Sequence, residues 1–129
     1  MELLWTLLTL YPLLHDSVKL KCIVPKDLYC NDIIRSWIKG SGSKGRVIMF
    51  NGGSENSSKY TEEIQSDGFV LEIHDLSKDD INKTFTCRYC FSEYSGTLTI
   101  PSRMLVESKN IIGRFWAEDH EEKKKDVAR

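Results

Sequence analysis

The placement of four cysteines around one tryptophan constrains this chain more than any other feature. Cys22 lies in residues 18–24, a run of period two that puts Val18, Leu20, Cys22 and Val24 on one face. Cys87 lies in residues 84–91, where Phe85, Cys87 and Tyr89 share one side and Thr86, Arg88 and Cys90 the other. Trp37 stands between them in a third run, residues 34–39. Such alternation marks half-buried strands, so Cys22 and Cys87 face inward. Cysteines facing each other across a core can meet the Cα separation of about 4.4–6.8 Å that a disulfide needs. Cys30 falls between the first two runs and Cys90 on an outward face; four cysteines admit three connectivities, and the sequence does not choose among them.

Further strand-like runs occupy residues 46–50, 59–64, 69–74 and 97–100, with Phe69, Leu71 and Ile73 turned inward. Gly, Ser and Asn clusters at 40–45 and 51–54 separate them. Seven short strands without βαβ alternation predict an all-β fold, an antiparallel two-sheet sandwich. A chain of 129 residues has room for about one domain. Its formal charge of −1 supplies no bulk attraction to nucleic acid or anionic lipid.

The ends differ from this middle. Residues 3–14 carry no charge, too few to cross a bilayer, which takes about 20 apolar residues, but enough for a signal-peptide core. The flank Met1-Glu2 lacks a basic residue and His15-Asp16-Ser17 is a poor cleavage site, so a buried apolar strand or helix competes with that reading. After Pro101 the chain is charged, with seven basic and six acidic residues, and is expected to be a partly disordered tail. The expected organisation is a signal-like leader at 1–17, a domain at 18–101 and a tail at 102–129, with no membrane span.

Catalytic patterns are missing. Cys87-Arg88-Tyr89-Cys90 is a C-x-x-C, but on a strand its cysteines point to opposite faces and no βαβ unit surrounds it. The seven-residue gap between Cys22 and Cys30 does not suit zinc, and His15, His74 and His120 lack ligand spacing. There is no nucleophile elbow, His-Glu-x-x-His or phosphate loop, and the pairs Glu62-Glu63 and Asp79-Asp80 read as surface carboxylates. No enzyme activity and no cofactor are expected. Asn56-Ser57-Ser58 and Asn82-Lys83-Thr84 match the glycosylation acceptor pattern.

The arrangement Cys22…Trp37…Phe85-Thr86-Cys87 resembles the immunoglobulin superfamily, with Phe85 where the tyrosine-corner residue usually stands. The long interval from Cys22 to Cys87 resembles the variable-type set, and Trp37-Ile38-Lys39, Lys59-Tyr60-Thr61 and Leu76-Ser77-Lys78-Asp79-Asp80 are similar to its strand C, strand D and the turn into strand F. The resemblance implies a Greek-key sandwich with a core bridge Cys22–Cys87 under Trp37, Phe85 and Leu71. It implies a Lys59 pair with Asp80, or with Asp79, near the surface and stabilising by only about 0–1 kcal/mol. A second bridge, Cys30 to Cys90, is the economical pairing, with about 2–4 kcal/mol of stabilisation.

Departures accompany the likeness. Phe85 has no hydroxyl for the corner hydrogen bond, and no Gly-x-Gly follows Cys87, which fits a germline-encoded leukocyte or immune-type receptor better than a rearranging one. The stretch before Cys22 is short, so strand A is expected to be atypical or missing: lost with a cleaved leader, supplied by residues 7–14, or marking an incomplete or alternatively spliced N-terminus. The resemblance implies non-catalytic recognition of a protein ligand or a partner immunoglobulin domain, extracellular or at the cell surface. Candidate contacts are Ile38, Arg88 and Met49 on the front sheet and the loops 25–33, 51–58 and 92–95, with Tyr29, Glu93 and Tyr94 as their best-suited side chains. The alternatives are a structural or adhesive spacer module and a truncated product of a longer receptor.

Overall fold

The computed structural model describes residues 2–9 and 12–100; the tail expected at 102–129 lies outside them. The strands are β1 (Leu4–Leu7), β2 (Val18–Ile23), β3 (Arg35–Lys39), β4 (Arg46–Phe50), β5 (Tyr60–Gln65), β6 (Gly68–Ile73), β7 (Thr84–Tyr89) and β8 (Ser92–Thr97). They form two antiparallel sheets, a back sheet in the order β1-β2-β6-β5 and a front sheet in the order β4-β3-β7-β8. The chain changes sheet between β2 and β3, β4 and β5, and β6 and β7, which gives the two-sheet sandwich expected from the alternation. Among the described residues no helix is long and apolar enough to cross a membrane.

The period-two pattern fixes which residues meet. Val18, Leu20 and Cys22 on β2, Phe69, Leu71 and Ile73 on β6, Trp37 on β3, and Phe85 and Cys87 on β7 are all buried. Burying each of the larger ones stabilises the fold by about 1.5–3 kcal/mol. Cys22 and Cys87 are bonded across the sheets with Cα atoms 6.2 Å apart. Trp37 meets Phe69 edge-on at 5.8 Å, one of the orientations favoured by aromatic quadrupoles.

Two expectations are corrected, and strand A takes a short form within the leader-like stretch: the four residues Leu4–Leu7 pair with β2, while Leu3 is buried in the core. Trp5 donates Nε1–H to the Phe85 carbonyl at 2.7 Å and lies over Gly96, where a Cβ would come within 3.0 Å of the indole. The last strand is β8 at Ser92–Thr97, not residues 97–100, so 92–95 is sheet rather than loop. Met49 points inward: it pairs with Trp37 and shares its face, at 2% exposure. A bulge between Trp37 and Ile38 then lets the adjacent Ile48 be buried as well, which breaks the alternation of β4.

Candidate recognition surface

The outward face of the front sheet is built from two rows of cross-strand neighbours. Phe50, Ser36, Arg88 and Glu93 form one row, and Val47, Ile38, Thr86 and Ser95 the other. Polar residues on β7 and β8 are tied to each other: Arg88 Nε donates to Glu93 Oε1 at 2.8 Å, and the Thr86 and Ser95 hydroxyls lie 2.7 Å apart. The β3–β4 side is apolar, with Val47 at 50% and Phe50 at 53% exposure beside the half-buried Ile38. Beyond β4 the chain leaves the sheet through a turn closed by the Phe50–Gly53 bridge. No strand between β4 and β5 covers the β4 edge among the described residues.

The loop end is stapled. Cys30 is bonded to Cys90 with Cα atoms 5.9 Å apart. Cys90 and Phe91 are the whole connection between β7 and β8, and Cys90 takes φ 57°, a backbone region that glycine usually fills in tight hairpins. This turn presents Phe91 at 98% exposure, while Tyr29 in the 25–33 loop is 75% exposed. Ile33 and Ile34 are exposed nearby in sequence. Behind them a cavity of about 650 Å³ opens between the sheets, lined by Leu28, Ile33, Ile64, Phe69 and Tyr89. Tyr94 belongs instead to the side of the sandwich: it is partly exposed on β8 and meets Trp5 edge-on at 6.5 Å.

Two ion-pair clusters hold this scaffold. Arg35 on β3 donates from Nε and Nη2 to Glu62 on β5, joining the front and back sheets. The hydrogen bond from Arg35 to the Glu62 carboxylate raises the guanidinium's pKa, against its partial burial. At the opposite end Asp80 accepts from Lys39 Nζ at 2.8 Å, Lys59 Nζ at 2.9 Å and the Ser77 N–H at 2.9 Å. Asp80 is only 1% exposed, so the pair is not the surface contact expected from the sequence. Burial works against its charge, but the hydrogen bonds from Lys39, Lys59 and Ser77 overcome it and hold the carboxyl below its ordinary range.

Among the described residues no group of three or more His, Cys, Asp or Glu side chains could hold a metal ion. Asn56 and Asn82, the two glycosylation candidates, are both exposed. Sequence reasoning passed over Val47, Phe50 and Phe91. Their signal was an apolar residue on the polar half of an alternating strand, or an aromatic in a turn.

No family model matches this chain, and no curated protein does either. Among solved structures it is similar to the crystal structure of the ZIG-8–RIG-5 IG1–IG1 heterodimer, with a TM-score of 0.56 at 16% identity over 69% of this chain and 77% of that one. Together with the two antiparallel sheets and the bridge between them, this likeness makes the fold immunoglobulin-like.

Proposed function

Taking an immunoglobulin-like sandwich as the premise, we propose that the chain is a non-catalytic recognition module that pairs its front sheet with another immunoglobulin-like domain. The observation that carries this is the apolar patch of Val47, Ile38 and Phe50 on the outward face, next to an uncovered sheet edge. Isolated exposed apolar residues are common, but a cluster on one sheet face bordered by the Arg88–Glu93 pair has the apolar centre and polar rim of a protein interface. Tyr29 and Phe91 extend contact toward the loop end at little entropic cost. That a similar fold forms an IG1–IG1 heterodimer supports a partner of the same kind.

Two disulfides fit an oxidising compartment, and with the two exposed acceptor asparagines they support an extracellular or cell-surface, immune-type receptor. The test is to display the full chain on cells and probe it with a panel of immunoglobulin-domain ectodomains. Val47→Asp and Phe50→Asp should each abolish capture of a specific partner while preserving surface expression. Capture that survives both substitutions, or a chain that engages no ectodomain, would favour a spacer role.

A further inference from the structure

The formal charge of −1 conceals an uneven distribution. Eleven Lys and Arg residues fall within residues 1–100, and five of them, Lys39, Lys44, Arg46, Lys78 and Lys83, belong to the β3–β4 turn, the turn before β7 and the strand ends beside them. This is the end of the sandwich opposite the Cys30–Cys90 bridge. Ion pairing treats these cations differently. Lys39 and Lys83 both reach Asp79, at 3.0 and 3.3 Å, and Lys39 also reaches Asp80. Lys44 and Arg46 are exposed and have no carboxylate partner among the described residues.

These four cations line one cleft of about 270 Å³, together with the hydroxyls of Ser41 and Thr84. The exposed Asp79 lies between Lys39 and Lys83 in the lining, so an anion already sits between two ammonium groups there. The open side, at Lys44 and Arg46, has no such occupant. Arg46 offers a planar fork of donors suited to an oxyanion, and Lys44 a mobile point charge.

The remaining lining decides what carries the oxyanion. Ser41, Asn82, Thr84 and Gly40 offer polar groups, and the lining has no aromatic side chain for a base to stack on and no Val, Leu, Ile or Met side chain for an acyl chain. The backbone amides of Gly40, Lys44 and Gly45 are spent on the Thr84, Ser41 and Gly42 carbonyls, so side chains supply most of the donors that line the cleft. At about 270 Å³ the cleft falls just below the range of about 300–1,000 Å³ that holds a drug-sized ligand. We propose that this cleft binds a sulfated sugar unit, with Lys44 and Arg46 engaging the sulfate and Ser41 and Thr84 the sugar hydroxyls. The site lies apart from the Phe50 end of the front-sheet patch, and the proposal stands or falls independently of front-sheet pairing.

The test uses the full chain carrying Asn82→Gln, so that no glycan lies across the cleft, with a heparin-derived octasaccharide, its desulfated counterpart, inorganic sulfate and inorganic phosphate as probes in titration calorimetry. The sulfated octasaccharide should bind, weaken with salt as released counterions require, and lose at least tenfold in affinity in Lys44→Ala/Arg46→Ala. Lys26→Ala removes another unpartnered cation, at the far end of the domain, and should leave binding unchanged. Both variants alter exposed, unpaired residues, and unchanged thermal unfolding verifies their folding. The proposal is overturned if the octasaccharide does not bind, if Lys26→Ala weakens it as much as the double variant, if the desulfated sugar binds equally, or if inorganic phosphate or sulfate alone binds as tightly.

Discussion

Replacing Asp80 removes the one buried charge on which Lys39 and Lys59 converge. Its carboxylate is 1% exposed and accepts from both ammonium groups and from the Ser77 N–H and hydroxyl. Asp80→Ala leaves Lys59 facing a cavity without its counter-charge and Lys39 with only the exposed Asp79, both lysines being largely covered. Breaking a buried pair in this way costs about 3–5 kcal/mol. For a domain near 100 residues that is on the order of 20 °C in melting temperature, and about 2 M in urea midpoint. Asp80→Asn separates charge from shape and carries a pH signature. Because the folded carboxyl is held below its unfolded value, its stabilisation is fully present above about pH 4 and is lost as pH falls through the folded pKa. Wild type should therefore lose stability steeply below about pH 4, and Asp80→Asn should be less stable at pH 7 with a flatter acid limb. Urea titrations at pH 7, 5, 4 and 3 measure both. A loss under about 1 kcal/mol with an unchanged acid slope would mean that the Asp80 cluster contributes no more than a surface ion pair.

Other expectations are equally specific. Removing the second bridge with Cys30→Ser/Cys90→Ser should cost about 3 kcal/mol rather than the value for a long open loop, because Cys22–Cys87 already closes nearly the same loop; chemical denaturation of the folded variant checks this. Met49→Asp should prevent folding, while Val47→Asp, two positions along the same strand but outward, should change stability by less than about 0.5 kcal/mol; circular dichroism melts separate the two. Gly96→Ala should cost about 1–3 kcal/mol and speed hydrogen exchange in β1, since the new methyl group displaces the Trp5 indole that anchors that strand.

What could be read from the sequence was whatever strict alternation carries. Residues 18–24, 69–74 and 84–89 place Val18, Leu20, Cys22, Phe69, Leu71, Phe85 and Cys87 inward by periodicity alone, and the facing cysteines follow. Readings failed where a local device overrides the pattern. β8 has the composition Ser-Glu-Tyr-Ser-Gly-Thr, which resembles turn chemistry, and it is held as a strand by its ladder to β7. The hairpin that starts it contains no glycine, because Cys90 takes the positive φ itself. The bulge at Trp37/Ile38 buries Ile48 and Met49 consecutively, which no period-two count foresees. β1 was hidden for another reason: with Leu4 and Leu8 exposed and no charge anywhere in 3–14, an edge strand and a hydrophobic leader look the same. The depth of Asp80 was not legible because an Asp-Asp pair in a turn gives no sign of which carboxylate turns inward.

Hydroxyl-radical footprinting of the chain, alone and bound to an immunoglobulin-domain partner from the ectodomain panel, locates the face that pairs. Front-sheet pairing should protect Val47, Phe50, Ile38 and Arg88 and leave Lys19, Glu63 and Glu72 on the back sheet unchanged. Protection concentrated on the back sheet, with Val47 and Phe50 as reactive in the complex as in the free chain, would contradict it.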